Sequence, residues 1–261
     1  ARGEVEFSGS LGAIPFTGLA HELAVDHAGR LRASAAGEGS VFFSGVLPSN
    51  GQPFEMEARW IEASTLRLDA FLPVIEVRSM QTGVPGEADI DIRASAKHMT
   101  STETWLEFAE DVHVDGITEQ KIPWTLDAGR VRFEGRVAAV GSAEKSEVSA
   151  LHASEGFELT LPDRGMRATG ETLDAARLTG LMRFEGVPAK FEMSTFVQEA
   201  EWIEVDINLG MIMDSGRIHV RPPEQEDGAQ EEGAEQTRNP WTFDALSMKT
   251  LVEPDSLVIV L

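Results

Sequence analysis

This chain contains no cysteine among its 261 residues, which excludes disulfide staples, thiolate nucleophiles and cysteine-ligated metals together. That absence is compatible with an oxidising periplasm without requiring one. Basic residues are scarce: 22 Lys and Arg stand against 44 Asp and Glu, for a formal net charge of -22. A surface of that sign repels phosphate backbones and anionic headgroups. Nucleic acid is therefore not an expected partner, and the acidity reads as a device for solubility. No apolar run approaches the ~20 residues that a membrane-spanning helix needs. Ala1-Arg2-Gly3-Glu4 leads straight into a strand-like run without a charged, apolar and small-residue leader. The apolar end Leu257-Val258-Ile259-Val260-Leu261 would leave an unpaired hydrophobic edge, so the chain reads as an excised piece. Membrane contact is expected only through parts outside it.

Helical spacing is scarce as well. Thr65–Leu72, closed by Pro73, and Phe243–Leu251 alone carry three-and-four periodicity, which predicts a few short surface helices. Catalytic signatures are missing in turn. There is no Gly-x-Ser-x-Gly elbow, no phosphate-cradling loop before a helix and no EF-hand loop. The six histidines, His21, His27, His98, His113, His152 and His219, form no zincin-type pair. Asp111, His113 and Asp115 project from one face of a predicted strand and have the chemistry to hold a divalent cation, but the pattern reads first as the wet face of that strand. The same holds for the carboxylate pairs Asp89 and Asp91, and Glu204 and Asp206, which would otherwise suggest glycosidase chemistry. Trp60, Trp105, Trp124, Trp202 and Trp241 read as core or sheet-edge anchors before they read as a sugar platform. No enzyme, metal or cofactor is expected.

What the chain does have is two-residue alternation. Ile203, Val205, Ile207 and Leu209 fall on one side of a strand, and Trp202, Glu204, Asp206 and Asn208 on the other. Phe54, Met56, Ala58 and Trp60 repeat the pattern, as do Ile90 with Ile92, and Ala189 with Phe191 and Met193. Burial of one face is the habit of antiparallel sheets. In Leu106, Phe108, Val112 and Val114 the even positions are apolar except for Glu110, which predicts a β-bulge there. Turn chemistry at Ser49-Asn50-Gly51, Val84-Pro85-Gly86, Asp115-Gly116, Pro162–Gly165 and Asp214-Ser215-Gly216 completes an all-β meander. After Pro222-Pro223 the acidic stretch with Glu224, Glu226, Asp227, Glu231, Glu232 and Glu235 predicts a disordered loop. The expected organisation is a repeat-like β region over 1–221, the loop over 222–238, and over 239–261 a re-entry turn and strand that start a further β unit.

A short shape recurs: Val5–Gly9, Val41–Gly45, Val131–Gly135 and Ala176–Gly180 each run apolar, any, apolar, polar, Gly. Gly45 is followed by Gly51 and Pro53, and Gly180 by Gly186 and Pro188 at the same offsets, each leading into an alternating stretch. The unit reads as strand, turn, returning strand, with Pro opening the second strand.

Leu178 to Phe191, Leu-Thr-Gly-Leu-Met-Arg-Phe-Glu-Gly-Val-Pro-Ala-Lys-Phe, resembles the strand-turn-strand segments of AsmA-like envelope proteins, the AsmA, TamB and YhdP types. Asn239-Pro240-Trp241-Thr242-Phe243-Asp244-Ala245-Leu246, followed by Leu257–Leu261, resembles their re-entry after an acidic variable loop. The resemblance implies an elongated, twisted antiparallel sheet forming a taco-like groove. It implies a periplasmic protein, anchored in the inner membrane at full length, that guides phospholipid or supports outer-membrane assembly. The anchor helix is missing from this sequence. Physically, an apolar sheet face can stay open and solvate acyl chains or close on itself as a core. On the open reading Phe54, Met56, Ile90, Ile92, Leu106, Phe108, Val112, Val114, Ala189, Phe191, Met193, Ile203, Val205, Ile207 and Leu209 line the groove, with phospholipid or another acyl-chain ligand as partner. The alternative is a closed β-sandwich or barrel acting as a binding or adhesion module; a glycan-active enzyme comes third.

Overall fold

The structure, a computed structural model, describes residues 2–11, 14–27, 29–46, 53–64, 67–77, 92–102, 104–117, 122–136, 147–176, 181–206, 211–222, 242–253 and 256–260. They form strands β1 (Arg2–Leu11), β2 (Ile14–Val25), β3 (Leu31–Ser34), β4 (Val41–Val46), β5 (Pro53–Ala58), β6 (Trp60–Ala63), β7 (Arg67–Phe71), β8 (Val74–Val77), β9 (Ile92–Ser95) and β10 (His98–Thr102). Then follow β11 (Trp105–Ile117), β12 (Pro123–Arg136), β13 (Glu147–Leu161), β14 (Met166–Gly170), β15 (Thr172–Ala176), β16 (Leu181–Glu192), β17 (Val197–Asp206), β18 (Met211–Arg221), β19 (Phe243–Glu253) and β20 (Ser256–Val260). Among the described residues a single 3₁₀ turn, Pro162–Arg164, sits at the predicted Pro162–Gly165 turn. No α-helix occurs among the described residues.

Every strand pairs antiparallel, and all belong to one sheet. Consecutive short strands are halves of one longer strand. β5 and β6 are separated only by Arg59, β7 and β8 by Leu72-Pro73, β9 and β10 by Ala96-Lys97, and β14 and β15 by Glu171. The unbroken long strands carry a register shift at the same level: Ala109/Val112 in β11, Ala128/Arg130 in β12, Glu185/Ala189 in β16, Glu199/Trp202 in β17 and Ser215/Ile218 in β18. These interruptions are neighbours, since Leu72 N–H donates to Lys97 C=O, Lys97 N–H to Glu110 C=O, Gly156 N–H to Glu171 C=O, and Glu171 N–H to Glu185 C=O. A continuous crease therefore crosses the sheet. Bulges bend strands and sharpen their twist, so a line of them folds a wide sheet along one axis.

The predicted bulge at Glu110 is part of this crease: Glu110 and Asp111 hold φ of 64° and 53°, and Glu155 with Gly156 hold 64° and 83° opposite Gly129. Gly129 has no room for a side chain, because a Cβ there would lie 2.6 Å from that of Glu155. Pro73, which lacks an N–H, fits a break in pairing.

Folding along the crease lets the apolar face meet itself. Val41, Ile61, Ile75, Val114, Leu126, Val131, Phe184 and Ile203 are all 0% exposed. The sheet thus closes over its inner face as an antiparallel barrel. This corrects the expected open, taco-like groove. Bare apolar surface is unfavourable by about 25 cal/mol per Å², and the crease supplies the bend that removes it from water.

Further expectations change. Within the two stretches expected as helices, Arg67–Phe71 is strand β7 and Phe243–Leu251 lies in strand β19. Leu68 and Ala70 alternate inward against Ser101 and Met99, and ladder pairing outweighs a short helical spacing that could not stand alone. Asp115-Gly116 and Asp214-Ser215-Gly216 lie within β11 and β18 rather than at hairpins. The repeat copies are also not equivalent: Pro53 opens β5 after a connection, whereas Gly186-Val187-Pro188 is the crease in the middle of β16. β19 pairs with β18, so the re-entry strand extends the same sheet. The acidic stretch from 223 onward, Ser49-Asn50-Gly51 and Val84-Pro85-Gly86 lie outside the described residues.

Candidate functional site

Alternation delivers the sequence-predicted apolar residues to one face. Phe54, Met56, Leu106, Phe108, Val112, Val114, Ala189, Phe191, Ile203 and Val205 are all buried there, Ile92 and Met193 are half-buried, and Ile90, Ile207 and Leu209 lie outside the described residues. They are brought together as packed core. Cross-strand neighbours Val114, Leu126, Leu159, Ala168 and Phe191 form one inner row through β11, β12, β13, β14 and β16. The next position of that row is Gln198 of β17, 0% exposed, whose amide nitrogen and oxygen both lack a hydrogen-bond partner; Ser101 is a second buried orphan.

The outer face carries the charge. His113 sits with Nδ1 2.6 Å from Asp127 Oδ1 and Nε2 3.2 Å from Asp115 Oδ1, while Asp111, carried onto the crease, pairs with Lys97 Nζ at 2.8 Å. The trio Asp111, His113 and Asp115 is thus split. Among the described residues no group of three such side chains is placed to hold a metal ion. The hydrogen bond to Asp127 is the main cause that raises the His113 pKa above its ordinary 6.5, with the Asp115 charge adding to it against some burial. A raised value in the folded state means that the protonated ring stabilises the fold. That contribution is full below pH 6.5 and is lost as pH rises through the folded value. Thermal melts should therefore show a His113-dependent loss of stability from mildly acidic to mildly alkaline solution, and His113→Gln should remove that component; a proton titration of the ring that falls at or below 6.5 would contradict it.

The remaining candidates are surface ladders. Glu204 and Asp206 face outward from β17, and Asp89 and Asp91 lie outside the described residues. Trp60 stacks on Phe71 at 6.3 Å, Arg132 lies 4.9 Å over Trp105 and Arg183 4.6 Å over Trp202. These tryptophans anchor the outer sheet face with cation–π and ring contacts. Trp124 packs against the core over Gly116, where a Cβ would come within 2.2 Å of its ring; Trp241 is outside the described residues.

One feature of the outer face was not legible as a site. Where β1, β2, β4, β5, β8 and β9 run side by side, they form a groove of about 880 Å³. One outer row across it reads Glu6, Leu19, Phe42, Glu57 and Val74, and the adjacent row Ser8, Thr17, Ser44, Glu55, Glu76 and Arg93. Leu19, Phe42 and Val74 are 39%, 52% and 38% exposed. Thr17 and Ser44 satisfy each other through a 2.8 Å hydroxyl contact. Beneath the groove, on the inner side, Gly18 has no room for a side chain, because the ring of inward-facing Phe7 fills the space that a Cβ would take. The sequence signal was the doublet Phe42-Phe43: in a strand, adjacent residues point to opposite faces, so one ring had to face out. A second recess of about 370 Å³ near Pro162 carries Arg167, Lys190 and Arg221. Each is already paired, Arg167 with Glu158, Lys190 with Glu192 and Arg221 with Glu199.

No family model matches this chain, nor does any curated protein or solved structure. The likeness to AsmA-like proteins rests on the residues quoted above, and what the molecule does must be argued from its two faces.

Proposed function

We propose that the chain is a non-enzymatic binding module, part of a larger envelope protein, that meets its partner on the outside of a closed β body. The observation that carries this reading is the inner face, where Val114, Leu126, Phe184 and Ile203 at 0% exposure leave no room beside them even for water. Acyl chains need contiguous apolar surface, and here that surface is occupied by the chain's own side chains. Among the described residues, exposed apolar side chains line a concave surface in the groove around Phe42. Support for a non-catalytic role comes from the use of the polar side chains, which run in cross-strand ladders such as His113 with Asp127 and Arg167 with Glu158.

A second reading, phospholipid carriage in the periplasm, draws support from the strand order, in which successive stretches of chain pair in turn across one creased sheet. The two readings separate on lipid content. Organic extraction and mass spectrometry of the purified chain are expected to return no stoichiometric phospholipid. One lipid retained per chain would overturn the closed-module reading in favour of carriage.

A further inference from the structure

We infer that the crease is a hinge, a single cooperative line along which two leaves of the sheet change their angle. The inference goes beyond the binding reading and does not depend on what the outer face meets. One leaf holds β4, β5, β8, β9 and β14, the other β3, β6, β7, β10 and β15, and the long strands β11, β12, β13 and β16 cross between them. Among the described residues the non-glycine positions with positive φ are Leu72, Glu110, Asp111 and Glu155, at 49°, 64°, 53° and 64°, and all four lie on the crease. A side chain in this region crowds its own carbonyl, so the bent state stores strain along one line rather than at scattered turns. Such strain persists only where the surrounding packing imposes it, and here closure over the inner face does so. Backbone hydrogen bonds carry the line from strand to strand: Ala35 N–H donates to Arg59 C=O, Arg59 N–H to Phe71 C=O, Leu72 N–H to Lys97 C=O and Lys97 N–H to Glu110 C=O. The strained acids are pinned from outside. Lys97 Nζ lies 2.8 Å from Asp111 and 3.6 Å from Glu110, and Arg130 reaches Glu155 at 3.2 Å. These pairs are solvent-exposed, so each contributes little alone and weakens as salt rises. On both sides of the crease the strands are locked in ladders, so one strand cannot change its angle while its neighbours keep theirs. Flexing is therefore shared along the line, which separates a hinge from a row of independent bulges.

The test is amide hydrogen exchange of the full chain, followed at Leu72, Gly156 and Glu171, whose N–H groups are bonded along the crease, with the inner-row amides of Val114 and Leu126 as reference. Exchange is measured for wild type, for K97M, which removes a pin, and for L72G, which relieves one strained residue. Lys97 and Leu72 are 46% and 45% exposed, so neither change enters the core. K97M is expected to speed exchange about two- to fivefold, the equivalent of an exposed ion pair, at Leu72 and also across β11 and β12, at Gly156 and Glu171. L72G should slow exchange about fivefold at Gly156 and Glu171. In wild type, about 1 M salt, with a screening length of about 3 Å, should act as K97M does, while Val114 and Leu126 keep their rates. A response confined to Leu72, with Gly156 and Glu171 unchanged, would mean independent bulges and overturns the proposal. Crease amides that exchange as slowly as Val114 and Leu126 under every condition overturn it as well, because the line then opens only with the whole fold. The wild-type salt series decides alone if either variant fails to fold.

Discussion

Replacing Phe184 with alanine is expected to lower the unfolding free energy by about 3–5 kcal/mol, the range for a large aromatic removed from a core that cannot collapse into the gap. Phe184 is 0% exposed, with Phe157 at 5.9 Å on one side and Phe191 at 6.1 Å on the other, and its cross-strand neighbours Leu173 and Ile203 are buried as well. Few arrangements of the sheet could close the resulting cavity, because the two rings and the cross-strand neighbours Leu173 and Ile203 are held by ladder pairing. Urea denaturation of wild type and Phe184→Ala, with unchanged slope, measures the difference. The outcome discriminates between architectures. In an open groove the ring would be solvent-exposed in the lipid-free protein, and its loss would fall within about 0.5 kcal/mol, as surface substitutions do.

Gln198→Met is expected to act in the opposite direction and stabilise the fold by about 1–3 kcal/mol, the desolvation penalty of a buried amide left without partners. Gln198 is 0% exposed between Phe191 and Val220 in neighbouring strands, and neither amide atom meets a donor or acceptor. Methionine has nearly the same length and flexibility, so the exchange removes polarity with little change in shape. A higher denaturation midpoint in Gln198→Met bears this out. A loss of 1 kcal/mol or more, on the order of one hydrogen bond, would mean that the amide is held by an internal water and that the inner face is not dry at this point.

The strand pattern could be read from the residues because two-residue alternation is the signature of a strand with one buried face. Ile203 and Val205, Phe54 and Met56, and Leu106 and Phe108 all face inward as their spacing requires. Even the bulge at Glu110 was readable, since a single carboxylate in an otherwise apolar series must either be buried or be turned aside, and turning aside costs less. Local signals failed where two elements compete for the same residues. Leu68 and Ala70 carry helix-like spacing together with Leu72, yet they belong to β7, because the ladder partners Met99 and Ser101 lie far along the chain where no local window finds them. Pro188 looked like the start of a strand by analogy with Pro53. It is instead a crease, a distinction set by whether the preceding residues continue in the same direction or return.

The candidate site was less legible for a related reason. Leu19, Phe42 and Val74 belong to β2, β4 and β8, and each alone is an unremarkable exposed apolar residue. They become a surface only when β4 pairs with both β2 and β5, and β5 with β8, and a register slip of one residue would have scattered them.

Composition and periodicity, then, were sufficient for an acidic all-β chain with one apolar face on each strand, because charge sums and side-chain alternation are properties of the chain itself. Whether that face stayed open or closed was decided only in three dimensions. Each interruption, whether Arg59, Leu72-Pro73, Ala96-Lys97, Gly129 or Gly186–Pro188, is a minor irregularity within its own strand; hydrogen bonding between strands aligns them into one crease, and the crease folds the sheet onto its own apolar side.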